Sequence, residues 1–205
     1  FDAAEAELRT LLLDASDRGD ARALLAHCLS HRNQTEEARS TLRMILRDQP
    51  GHFDALRESG LLELKLGRHA DAAGFLERAT EIHPEDAELR QALAKALAGS
   101  GRMEEAESHF QFMEQASPAL LRLPRQTTEL AQQPGNVALR FEIAETVWMF
   151  RSRAEGLLWL KSLLEFDPRH AGTHQLLAEH YRLTGDEQRA TEHHQQAASI
   201  GRTQP

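Results

Sequence analysis

Apolar residues return along this chain at steps of three and four. Leu139, Ile143, Ala144, Val147 and Phe150 are spaced largely in that way, and so are Phe1, Ala4, Leu8, Leu11 and Leu12. Such spacing gathers side chains on one face of an α-helix. The order also recurs on a longer scale. Pro50, Pro84 and Pro118 stand 34 residues apart, Pro134 and Pro168 are again 34 apart, and the phase slips by 16 residues between the two sets. With each proline numbered 32, units begin at Gly19, Phe53, Ala87, Val137 and Ala171.

Other positions fall into register with the prolines. Position 8 reads Ala26, Gly60, Ala94, Ala144 and Ala178, and position 20 reads Ala38, Ala72, Ala106, Gly156 and Ala190. Residues this small let the two helices of a unit cross closely. Position 24 (Leu42, Leu76, Phe110, Leu160, His194) and position 27 (Ile45, Ala79, Met113, Leu163, Ala197) carry mostly larger groups that fill the space between units. Glycine at position 15 (Gly67, Gly101, Gly185) suits the left-handed end of a first helix, and proline at 32 stops the second.

With these residues in place, the chain resembles the tetratricopeptide repeat (TPR) family, built from 34-residue helix–turn–helix units. The resemblance covers nearly the whole chain. It implies an all-α, right-handed solenoid of antiparallel helix pairs, with about five repeats plus an N-terminal half-repeat. Two departures stand out. The family's Trp at position 4 is never present, and its Tyr at position 11 occurs once, as Tyr181. Glu63 holds position 11 in unit two, which argues against burial there.

The expected organisation has four parts. Residues 1–18 hold a helix of a truncated repeat, since Phe1–Leu13 fits positions 17–29 of an earlier unit. Residues 19–118 are three units, 119–136 an inserted or kinked helical connector, and 137–205 two units ending in a polar cap. Pro118 and Pro124 lie in the slip, so one long element from about Met103 to Gln133 is expected to kink or break near Ser117. The Phe1–Leu13 helix lacks its partner, so its apolar face is expected to be covered by upstream sequence, a residual segment or a second copy.

Composition agrees with the helical reading. Valine and isoleucine are scarce, while Leu, Ala, Glu, Gln and Arg dominate. The net charge is -8, from 24 Lys and Arg against 32 Asp and Glu, which argues against a general nucleic-acid binder. No apolar run is long enough to insert through a membrane. Cys28 is the single cysteine, so no C-x-x-C site exists. His27/His31 and His170/His174 form i, i+4 pairs, yet none has the glutamate and spacing of H-E-x-x-H. There is no nucleophile elbow, P-loop or dinucleotide fingerprint. No enzyme activity, metal or cofactor is expected.

What remains is surface. The resemblance implies a concave groove lined by positions 2, 5, 9, 12 and 13 of the first helices, and a protein or peptide partner. Those positions give Arg57, Leu61, Leu64 and Lys65 in unit two, Lys95 in unit three, and Phe141 and Trp148 in unit four. The family's carboxylate clamp needs Lys at 5 and Asn at 9, and the pairs Ala23/His27, Arg57/Leu61 and Gln91/Lys95 do not supply it. The expected groove has a basic half in units two and three and an aromatic half in unit four, with Phe141 and Trp148 surplus to the core. It suits an acidic segment carrying one or two apolar anchors. Packing of both rings against the connector is the bland alternative. The competing function is a structural solenoid segment that self-assembles, including through the open N-terminal end.

Overall fold

The computed structural model describes residues 19–201. Ten helices occur among them, and no strand. In chain order they are α1 (Gly19–His31), α2 (Thr35–Asp48), α3 (Phe53–Lys65), α4 (His69–Ile82), α5 (Ala87–Gly99), α6 (Met103–Gln132), α7 (Val137–Phe150), α8 (Arg153–Phe166), α9 (Ala171–Leu183) and α10 (Glu187–Gly201). The 34-residue reading therefore lands on helix pairs: α1–α2, α3–α4, α7–α8 and α9–α10, with α5 paired to the start of α6. The expected Phe1–Leu13 helix lies outside the described residues.

The local signals act as the pattern requires. Position 34 caps the following first helix: the Ala55, Leu89, Leu139 and Thr173 N–H groups donate to the side chains of His52, Asp86, Asn136 and His170. Position 15 is left-handed in four units, with φ of 61° at Asn33, 71° at Gly67, 85° at Gly101 and 79° at Gly185. Unit four lacks this device. There α7 runs one residue further, to Phe150, and α8 starts from Ser152, whose hydroxyl accepts the Glu155 N–H.

Position 4 explains the missing tryptophan. Arg90, Arg140 and His174 occupy it in units three, four and five, and each donates to the carbonyl of the proline six residues earlier. Arg90 reaches Pro84, Arg140 reaches Pro134 at 2.9 Å and His174 reaches Pro168 at 3.0 Å. The two guanidiniums also lie over aromatic rings, Arg90 4.2 Å from the centroid of Phe112 and Arg140 4.3 Å from that of Phe166. In unit four one side chain thus closes the turn between units and covers the end of α8.

The chain divides into two compact units, Phe1–Met113 and Glu114–Pro205, with the division inside α6. The first is cored by Leu29, Leu42, Ile45 and Leu62 between α1 and α3, and by Leu56, Leu76, Leu89, Leu93 and Leu97 from α3 to α5. In the second, Leu123 and Leu130 from α6 meet Leu139, Ile143 and Val147, while Ala144, Trp148, Leu160 and Leu177 bind α7, α8 and α9. The connector region 119–136 holds the end of α6 and the turn into α7. Both Pro118 and Pro124 lie inside this 30-residue helix. The Thr127 and Thr128 hydroxyls donate to the Pro124 carbonyl at 3.0 and 2.8 Å.

Candidate functional site

In the first unit, α3 carries Arg57, Leu61, Leu64 and Lys65, and α5 carries Lys95. The two leucines are half-buried against the α3–α5 core. Lys95 is exposed. Lys65 is exposed too, but its ammonium is engaged: Nζ donates to the Ser30 carbonyl at 2.6 Å and to Asn33 Oδ1 at 3.2 Å. It closes the C-terminal end of α1, where a cation is favoured by the helix dipole. Arg57 Nη1 lies 3.8 Å from Glu58 Oε1.

Between α1 and α3 runs an open depression of about 500 Å³, walled by Leu24, His27, Asp54, Arg57 and Glu58. Its floor is the buried Ala23. Leu24 is 53% exposed on this wall. His27 Nδ1 meets Glu58 Oε2 at 2.9 Å. Sequence reasoning missed Leu24 and Glu58 because both occupy position 6, which the family's groove positions leave out. One turn of helix separates position 6 from positions 2 and 9, and that spacing was the available signal.

One group of metal-ligand type occurs among the described residues. Asp20, His52 and Asp54 bring their ligand atoms within 4.8 Å of one another. Both ring nitrogens of His52 already have protein partners, however. Nδ1 accepts the Ala55 N–H, and Nε2 stands 3.0 Å from Asp20 Oδ1. The ring acts as helix cap through Nδ1 and as hydrogen-bond donor to Asp20 through Nε2.

Glu63 is buried, contrary to expectation, at 6% exposure beside Arg39 at 8%. Arg39 Nε and Nη2 donate to its two carboxylate oxygens, each at 2.8 Å, and Arg68 approaches at 3.4 Å. The bidentate fork satisfies a carboxylate where the repeat ordinarily places a tyrosine. The hydrogen bond to Glu63 and its charge raise the Arg39 pKa, against the opposing cost of burial.

In the second unit, Trp148 is not a surplus surface ring. It is 1% exposed and packs with Ala144, Leu160 and Leu177. His180 meets its edge at 5.7 Å between centroids, and Arg153 lies 5.7 Å over it. Gly156 explains the reversal. A Cβ at that position would come within 2.7 Å of the Trp148 Cα, so α8 approaches the α7 backbone more closely than alanine would allow. Phe150, which shares the apolar spacing of Leu139, Ile143 and Val147, is only half-buried. Phe141 is half-buried, its ring 4.5 Å from that of His170 and seated over Gly172, where a Cβ would meet it at 2.7 Å. The expected aromatic half is thus core at Trp148 and a partly covered ring at Phe141.

Comparison with known proteins adds a family match. A family model for the tetratricopeptide repeat matches residues 1–59 and 63–111. No curated protein matches the chain. Solved structures similar to it include YrrB, a TPR protein with an unusual peptide-binding site, at 17% identity over 96% of this chain and 93% of that one, with a TM-score of 0.44. MamA from Desulfovibrio magneticus RS-1 is 17% identical over 99% and 86%, with a TM-score of 0.45. The pilF protein of Pseudomonas aeruginosa is 16% identical over 99% and 85%, with a TM-score of 0.49.

Proposed function

The chain belongs to the tetratricopeptide repeat family, whose members are typically non-enzymatic protein-interaction scaffolds, and we propose that its first compact unit binds a peptide segment along α1, α3 and α5. The observation that carries this reading is the open depression between α1 and α3, with Leu24 exposed on its wall and Lys95 exposed on the next first helix. An apolar ligand side chain fits against Leu24 and the aliphatic stem of Arg57, with Leu61 and Leu64 beneath the neighbouring surface. An acidic ligand residue suits Lys95. Lys65 contributes less than its charge suggests, because its donors are held by Ser30 and Asn33.

An array of peptides combining acidic residues with one leucine or phenylalanine tests the reading. Lys95→Glu is expected to remove the acidic peptides, and Leu24→Glu to remove the whole set. A true anchor costs at least about 2 kcal/mol of binding when lost. Leu158→Glu, on an exposed position of α8, serves as control. Binding profiles that are the same for all three variants and wild type would place the binding surface elsewhere.

A further inference from the structure

The helices α9 and α10 meet through histidines. The buried apolar residues of α10 are Ala190, Ala197 and Ile200, of which two are alanines. Its docking therefore draws little from hydrophobic burial and depends on polar contact. That contact is the pair His174 and His193. His174 is 4% exposed, and its Nε2 lies 3.0 Å from the Pro168 carbonyl oxygen. A carbonyl only accepts, so Nε2 carries a proton. The other nitrogen, Nδ1, is 2.8 Å from His193 Nδ1. In neutral His174 that nitrogen is bare and accepts, so His193 Nδ1 donates. Tyr181 stacks on the His193 ring at 5.5 Å and 7°, and Arg189 lies 5.3 Å over Tyr181.

Charged and titratable groups surround the pair from each neighbouring element. His170 caps α9 and His180 lies on it, and on α10 are Glu192 and Arg189. Lys161 and Arg153 of α8 face His180, and Asp167 in the α8–α9 turn faces His170. Helix α7 contributes the rings of Phe141 and Trp148, set on His170 and His180. Burial, then the His174 charge, hold His193 below the ordinary histidine value, against the raising influence of Glu192.

We propose that His174 and His193 form an acid-operated latch for α10, which tolerates one added proton and opens on the second. With one added proton on the pair, one Nδ1 still donates to the other and the bond stays intact. With two, both Nδ1 atoms carry a hydrogen. Two N–H groups then face each other across the same short gap, each ring is a cation, and no acceptor remains between them. The pair separates, and α10 leaves the surface of α9 around His174 and Tyr181. This latch is independent of the groove in the first unit.

The test is amide hydrogen exchange on the full chain at about pH 7.5 and about pH 5, read as protection factors so that intrinsic exchange rates cancel. Wild-type α10 is expected to lose about tenfold or more of its protection at the lower pH, while α4 changes less than about threefold. His193→Asn supplies an amide that either donates or accepts and does not titrate, so its α10 protection should stay level. His194→Asn, at the exposed neighbour, should keep the wild-type loss. Constant α10 protection in wild type, or the same loss in His193→Asn, overturns the latch. Should the Asn variant fail to dock at the higher pH, ring-proton NMR of wild type decides. Two separate titration steps are expected, the lower one coinciding with loss of α10 protection. A single step for both rings with α10 still protected would refute the proposal.

Discussion

At Trp148 and Gly156 a single pair of residues decides which side of a helix is interior. Position 12 of the repeat is a groove position by resemblance to the family, and that resemblance gives Trp148 its expected place. What overrides it is the glycine at position 20, which draws α8 against the α7 backbone and leaves the indole no route to solvent. The signal was present in the sequence as the one glycine among four alanines, but its consequence depends on distances that spacing does not supply. Trp148→Ala is therefore expected to destabilise the fold by about 3–5 kcal/mol, the range for emptying a large buried site. Gly156→Ala should cost about 1–3 kcal/mol, because the intruding methyl meets backbone, which yields little. Urea unfolding of each variant checks both; a change within about 0.5 kcal/mol for either would contradict the packing described. Glu63 makes the complementary point. Its burial was unreadable because its partner, Arg39, lies 24 residues earlier on a different helix. Glu63→Gln should cost about 1–3 kcal/mol, and the double change Arg39→Met with Glu63→Leu should recover most of it.

Whole elements were far more legible than single side chains. The proline spacing, the small residues at 8 and 20 and the left-handed turn at 15 rest on local physics, so helix placement followed from them. The 16-residue slip was expected to hold one long element from about Met103 to Gln133, kinked or broken near Ser117, and α6 spans Met103–Gln132 with Pro118 and Pro124 inside it. Position 4 was legible only as an absence of tryptophan. Its replacement by Arg or His has a structural purpose, since each donates to the carbonyl at the turn between units. Arg140→Leu is expected to lower stability by about 1–2 kcal/mol, combining the lost bond to Pro134 with the lost stack on Phe166. Asn136→Ala, which removes the α7 cap and an exposed bond to Gln133 Oε1 in the same turn, should cost about 1 kcal/mol. The two residues share one turn, so their effects in the double variant should fall short of additive, and a full sum would show that Arg140 and the cap act independently.

Across the molecule, the histidines set how stability responds to acid. His170, His180 and His193 in the second unit are all held below the ordinary histidine value, chiefly by burial. His109 in the first unit is lowered in the same way, helped by the charge of Arg90. For each, the unfolded chain takes up protons at a higher pH than the folded chain. The stability associated with the neutral rings is therefore complete above the unfolded value of 6.5, and it is lost as pH falls through the lower folded values. Three of these four groups lie in the second unit, so that unit should weaken more on acidification. The two tryptophans offer a selective probe, because Trp148 and Trp159 both lie in it. Urea unfolding followed by tryptophan fluorescence should show its midpoint falling between about pH 7.5 and about pH 5. Circular dichroism weights helices of both units, and its midpoint should fall less. Replacing His170 and His180 with glutamine should reduce the fluorescence shift, leaving the part that His193 contributes, without moving the circular-dichroism signal of the first unit. A fluorescence midpoint that holds steady or rises on acidification would mean that these rings are not kept neutral by the fold.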